Sequence, residues 1–297
     1  MNWRDSGPPM PREHHWTERL AMRVLFAAVV AWHVPGSLAH LEITAPNGPA
    51  RWIDLRFLLD PQVYTMCRYA LWVALALYVF RIGWSIALPY LALLSIAIGA
   101  IINSHGAILH YLQIVSLVLC AQTAAHFYSV FGRRGEARAA AEDRVIWWSR
   151  QAIVATYLVS GLTKLIRTSG TWFFQSPLVA VQIIKTNEQD YYDQLDHTSY
   201  EAGASIAEWM VQHPLLVGLV LSTSLLLELT SPLALCSRVL AAGYGLALVL
   251  FHTTVHHVMK LSFLYNEYLL WIYLVNVPFW LVLAFRFSSG KLRRRAA

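Results

Sequence analysis

Lys164 lies in "YLVSGLTKLIRTSGTWFF" (157–174), an apolar stretch that ends in a glycine and an aromatic cluster. A cation in such a stretch is costly, and ionisable side chains inside membrane segments usually face a bundle interior or a cavity and serve a function. The plain alternative is snorkelling, with the aliphatic stem buried and the ammonium at the interface. A helix C-terminus favours the cation by about 0.3–1 kcal/mol, whereas full desolvation opposes it more strongly. A fully buried Lys164 is therefore expected as a neutral base. Tyr157, Ser160 and Gly161 precede it by seven, four and three residues, so they share its helix face. Small residues there permit close approach of a helix or a ligand.

Histidines form the second group. "FHTTVHHVMK" (251–260) sets His252 and His256 four residues apart on one helix face, with His257 beside them. That spacing can hold a metal. "HGAILH" (105–110) supplies the looser pair His105 and His110, just after Asn103. Membrane di-iron enzymes fill three histidine boxes, and here two are partly filled, so hydrogen-bonding or acid–base histidines are the expectation. A histidine-ligated iron oxygenase is the alternative. The third group is Glu228 in "LLLELTSPL" (225–233), read as mid-helix four residues before Pro232. Proline removes the hydrogen bond to the carbonyl of residue 228. Two readings stand open: a structural ion pair with an arginine such as Arg68, or a site carboxylate.

The elements that must position these groups are apolar helices. The chain is 297 residues, 57% hydrophobic and 13% charged, against the roughly 25% charged residues of a soluble domain. Mean hydropathy is +0.46, and several runs approach the 18–20 residues or so that a bilayer core requires. The expected fold is all-α, a polytopic membrane protein with about eight transmembrane helices near 20–38, 64–82, 84–102, 106–130, 145–166, 214–236, 238–258 and 263–286. A polar tail (1–19) precedes this domain (20–286), whose first helix reads as an uncleaved anchor, and a basic tail (287–297) follows it.

Charge then orients the chain. The loop 132–144 carries Arg133, Arg134, Arg138 and Arg144 against Glu136, Glu142 and Asp143. The segment 167–213 is the reverse, with Glu188, Asp190, Asp193, Asp196, Glu201 and Glu208 against Arg167 and Lys185. The basic loop and both termini are expected in the cytoplasm and the acidic segment outside, as in a bacterial inner membrane. Within that segment "SPLVAVQIIK" and "AGASIAEWMVQH" read as short interfacial helices, with Trp172 at headgroup depth. This topology puts Lys164, His252, His256, His257, Asn103, His105, His110 and His33 in one outer-leaflet region. The net charge of +6 then reflects the positive-inside rule, and no nucleic-acid partner is expected. Cys67, Cys120 and Cys236 lie in or at the ends of apolar runs and suggest packing, with no disulfide or zinc framework.

"NSH" (103–105) ahead of "AHFYSV" (125–130), then "YLVSGLTKL" (157–165), "ELTSP" (228–232) and "LFH" (250–252) occur in this order. Together they resemble the HTTM membrane domain of vitamin K-dependent gamma-carboxylase and its bacterial relatives, over roughly 20–285. The resemblance implies that Gly161, Lys164 and Leu165 match the G-x-x-K-L stretch whose lysine is the base that starts oxygenation of reduced vitamin K. Asn103 and His105 resemble an asparagine–histidine pair of the carboxylases, and either His252 or the pair His256 and His257 matches the seventh-helix histidine. The implied reaction uses a reduced quinone, O2 and CO2, with no metal. Lys164 takes a proton from the hydroquinone, oxygen addition creates a strong base, and a glutamate or related acceptor is carboxylated.

On that reading the outer histidines stabilise oxyanions or relay protons. Tyr157, Ser160, Gly161, Asn103, His110, Trp172 and Glu228 then surround the quinone. The partners are membrane lipid, the quinone pool and a peptide or protein substrate on the extracytoplasmic side. Thr163 stands where the carboxylases have a second lysine, and the extracytoplasmic domain that holds their propeptide has no counterpart in 287–297. A second class of function fits the same resemblance: a non-catalytic membrane partner in maturation or export of a secreted peptide.

Overall fold

The structure is a computed structural model that describes residues 14–106, 110–133, 135–195 and 197–284. Among these every regular element is helical. The chain divides into two compact units, one made of the residues up to Ile153 together with those from Trp271 onward, the other of Val154–Leu270.

In the first unit, α1 (Trp16–His33), α2 (Pro61–Phe80), α3 (Trp84–Ser104) and α4 (His110–Phe127) are joined by the first half of α5 (Arg138–Arg167). Local chemistry explains their ends. Asp60 accepts from the amides of Gln62 and Val63 at 2.8 and 3.0 Å, and Pro61 opens α2 where no N–H is needed. Arg81 closes α2 in the left-handed conformation, with φ of 60°. α4 runs on as a wider, π-helical turn over Tyr128–Gly132. Phe26 meets Tyr78 and Tyr273 edge to face at 6.0 and 5.8 Å, and Tyr78 stacks on Trp84 at 5.7 Å.

Charged residues lie inside this unit. Glu142 of α5 faces Arg19, Arg23 and Arg81 at 3.5, 3.2 and 3.3 Å. Its neighbour Asp143 takes Arg19 at 3.1 Å and His14 at 3.0 Å. Nearby, Asn276 donates to Glu18 at 2.6 Å, and Gln122 donates to Tyr273 and Ser149 at 2.9 and 3.1 Å.

The second unit holds the rest of α5, then α6 (Ser176–Gln194), α7 (His197–Gln212), α8 (Pro214–Leu229), α9 (Arg238–Met259) and α10 (Leu264–Leu269). The two helices of 176–212 are longer than the interfacial pieces read from sequence, and they pack on one another. Ala180, Ile183, Ala207, Met210 and Val217 form a buried core there. A Cβ on Gly203 of α7 would lie 2.6 Å from Cβ of Asn187 of α6, so only glycine permits this crossing. Asn187 in turn donates to the carbonyls of Ile183 and Val258 at 2.9 and 3.1 Å.

Among the described residues four stretches are long and apolar enough to cross a membrane: Pro61–Phe80, Trp84–Ser104, Tyr111–Gly132 and Arg238–Met259. Two bent pairs raise the number to 6 if each is one span, Tyr200–Gln212 with Pro214–Leu229 (100°) and Leu264–Val275 with Val277–Ala284 (47°). Neither α1 nor α5 is among them. Glu18, Arg19 and Arg23 interrupt the first, and Arg138, Glu142, Asp143, Arg144 and Arg150 occupy the first half of the second.

Candidate functional site

Lys164 sits in the last turns of α5, and the residues spaced behind it do share its face. Its Nζ donates to both carboxylate oxygens of Glu228, at 2.6 and 2.7 Å. Ser160, one turn earlier, donates to Oε1 of the same carboxylate at 3.3 Å. Gly161 lets the two helices come this close: a Cβ there would stand 3.0 Å from Leu229 and 3.2 Å from Cβ of Glu228. Just past the end of α8, Ser231 donates to the carbonyl of Val154 of α5 at 3.2 Å.

Three expectations change at this point. Lys164 is not a lone desolvated amine, because a carboxylate covers two of its three donors. Glu228 is paired with Lys164, and Arg68, offered as its partner, instead donates to the carbonyl of Gly36 at 2.9 Å. Glu228 is also not in mid-helix. Pro232 stops α8 at Leu229, and a 3-10 turn follows over Ser231–Leu235, which leaves Glu228 in the final turn.

The pair is unevenly enclosed. The Glu228 side chain is 4% exposed and that of Lys164 is 23% exposed, so Lys164 is the less enclosed member. Two aromatic rings complete its surroundings, Trp172 at 5.3 Å and Phe251 at 5.8 Å from Nζ. Such contacts favour a cation over a ring face. Trp172 is itself held, its indole N–H donating to the carbonyl of Leu221 at 3.1 Å.

A second polar pair lies two turns back along α5. The Tyr157 hydroxyl is 2.8 Å from Nε2 of His252, both side chains being buried. Phe263 stacks on the His252 ring at 4.6 Å and fixes its plane. Asn266 of α10 lies beside the Tyr157 hydroxyl. Among the described residues, Nδ1 of His252 and Oδ1 of Asn266 are buried without a hydrogen-bond partner. Buried polar atoms in that state invite an explanation, such as a ligand or water.

His256 and His257 are exposed, and His257 Nδ1 is 2.8 Å from the carbonyl of Thr253 in its own helix. His105 and Asn103 belong to the other unit, where Nδ1 of His105 accepts from the amide of Glu42 at 3.1 Å and Asn103 is half-buried at the end of α3. His33, also in that unit, is 3.0 Å from the hydroxyl of Ser95. The His110 side chain lies outside what the structure describes. Among the described residues no group of three or more His, Cys, Asp or Glu side chains could hold a metal. Sequence reasoning missed Phe251, Phe263 and Asn266. The signal for Asn266 was present in "LYNEYLL" (264–270), where two polar residues interrupt an apolar run.

The site can therefore exchange a proton within a lysine–carboxylate pair, and hold a second one on a tyrosine–histidine pair. Compared with known proteins, the chain matches no family model, no curated protein and no solved structure.

Proposed function

We propose that this chain is an integral-membrane enzyme of the vitamin K-dependent gamma-carboxylase kind, built on an HTTM-like domain, with Lys164 as its base. In this reading it uses a reduced quinone, O2 and CO2 to carboxylate a glutamate or a related acceptor. The supporting observation is the one-to-one contact of Lys164 with Glu228 beside the Tyr157–His252 pair. The reduced quinone supplies an acidic O–H and, with O2, the strong base that carboxylation needs. Two aromatic faces and the unpartnered atoms of His252 and Asn266 suit a flat aromatic diol.

Lys164 would take the O–H proton on Nζ. To do so, the pair must first have lost a proton, leaving an amine against the Glu228 carboxylate with one net negative charge. Uptake of the new proton turns that into a neutral ion pair. The transfer would leave one negative charge on the quinol oxygen, so the total is unchanged; the enclosure of Glu228 favours moving that charge off the pair, because an unmatched buried carboxylate is costlier than a matched pair. Ser160 steadies the carboxylate, and Tyr157 with His252 donates to oxygen atoms that become negative.

The same proposal carries the finer topology: eight spans in one multi-pass protein, termini and the 132–144 loop in the cytoplasm, the 167–213 segment outside. Arg138→Cys and Asp193→Cys, each in a background lacking the native cysteines, should label from opposite sides with an impermeant thiol reagent. Labelling from outside at 138 alone would invert the orientation.

The test of function is oxygen uptake by the purified protein in liposomes containing vitamin K hydroquinone. Wild type should consume oxygen, and Lys164→Ala should lose about 10²–10⁴-fold, the usual worth of a positioned acid or base. Lys164→Arg should fail equally, because a guanidinium cannot give up its proton. Full activity in Lys164→Arg would refute the base. No uptake by wild type would favour the non-catalytic maturation or export partner.

A further inference from the structure

A cavity of about 410 Å³ lies within the first unit. Its wall is built where three apolar stretches end. Arg81, Trp84 and Ser85 come from the turn between α2 and α3, His126 and Arg133 from the end of α4 and just beyond, and Arg138 from the start of α5. Pro61–Phe80, Trp84–Ser104 and Tyr111–Gly132 are each long and apolar enough to cross a membrane. A cavity at their ends therefore stands at headgroup depth.

The wall carries more positive charge than it neutralises. Arg81 is committed, with Nη1 on Glu142 at 3.3 Å and Nη2 on the carbonyl of Arg138. Glu136, the acidic residue in the wall, is committed to Arg144. Arg133 and Arg138 line the same space with no acidic partner among the described residues. His126 and Ser85 face each other at 3.0 Å and add polar atoms that can donate to an oxygen. Two unneutralised guanidiniums with hydroxyl and imidazole beside them form a receptor for phosphate oxygens.

We propose that this cavity binds the phosphate of a glycerophospholipid headgroup. The volume is within the usual range for a small-ligand pocket, roughly 300–1,000 Å³. Large apolar side chains next to the lining residues in sequence are left open, with Ile82 59%, Ile86 75% and Phe131 68% exposed. Those surfaces suit acyl chains continuing from a headgroup, and a soluble phosphate would leave them uncovered. Basic pockets between helices at the headgroup level are a known way to hold anionic lipids. The inference is independent of the chemistry assigned to Lys164.

The test is native mass spectrometry of the full chain in detergent, titrated with phosphatidylglycerol, with diacylglycerol, and with glycerol 3-phosphate. One phosphatidylglycerol should stay bound, and retention should fall at least about tenfold in Arg133→Gln/Arg138→Gln. The variant should unfold at the wild-type temperature, since neither side chain belongs to the Glu142–Asp143 network. Diacylglycerol and glycerol 3-phosphate should each bind far more weakly than the lipid that combines them. Equal retention in the double variant, or equal retention of diacylglycerol, would overturn a phosphate site. Glycerol 3-phosphate binding as tightly as phosphatidylglycerol would overturn the lipid as its source. Unfolding of the double variant would be met by Ser85→Ala, which should weaken retention with no change in stability, and an unaltered retention there together with that unfolding would count against the site.

Discussion

Both units place acids and bases among apolar helices, and they use them differently. In the first, Glu142 faces three arginines, Asp143 faces Arg19 and His14, and Arg19 serves both acids. In the second, Lys164 and Glu228 have essentially one another. A shared acid keeps partners when one base is lost, and several charges must move together before any proton can. A solitary pair has no such reserve, and the transfer of one proton changes the state of the whole site. On the proposed reading, the difference teaches that the number of partners, more than burial or residue type, separates a scaffold from a reactive centre.

The harshest way to break the scaffold is Glu142→Ala. It would leave Arg19, Arg23 and Arg81 facing one another, and a loss of about 3–5 kcal/mol is expected from stranding buried charge. Thermal unfolding in detergent measures it. A loss below about 1 kcal/mol would make the network ornamental and dissolve the contrast.

Lys164→Met comes next. Glu228 then stays enclosed with only the Ser160 hydroxyl beside it, at about 3 kcal/mol, the low end because the lysine is partly exposed. Adding Glu228→Leu should recover most of that stability, since an apolar pair can replace a buried ion pair at little cost. Quinol-dependent oxygen uptake should remain absent in both. Recovery of activity in the double variant would make the pair structural, like the other unit.

Arg23→Met sharpens the comparison from the opposite side. Two arginines remain on Glu142, so about 1 kcal/mol is expected, well below the Lys164 variant. Similar losses for the two would contradict the argument from partner number. The smallest effect is Tyr157→Phe, which removes the hydroxyl from His252 and should cost about 0.5–1.5 kcal/mol. The matching readout is turnover, expected to fall more steeply than stability does. Unchanged turnover would remove Tyr157 and His252 from the chemistry.

The all-helical class was legible because composition and long apolar runs leave few other folds. The face of α5 was legible as well, since a period of 3.6 residues puts Tyr157, Ser160, Gly161 and Lys164 in one row. What meets that row was not. Glu228 is 64 residues away, and no periodicity reports which of two distant helices lies beside which, or at what height. Arg68 was an equally good partner on charge alone. The Glu142 network was hidden for the same reason: its bases come from residues more than a hundred positions earlier, or from the α2–α3 turn. Placing histidines by distance from helix ends treated His252, His256 and His257 alike, whereas the structure buries His252 and leaves His256 and His257 exposed. The end of α8 was miscounted because the helix was carried through Pro232 to residue 236, whereas it stops at Leu229.

Asn187 has a consequence of a different sort. One side chain caps the last turn of α9 through Val258, bonds its own helix at Ile183, and fills the notch that Gly203 leaves in α7. Lys260 adds a tether from the end of α9 to Asp190 at 3.6 Å. Three helices fastened at one point cannot fray separately. Their backbone amides should trade hydrogen for deuterium as one block with a common protection level, a cooperative opening unit, and the helix that carries His252 would inherit the lifetime of the whole block.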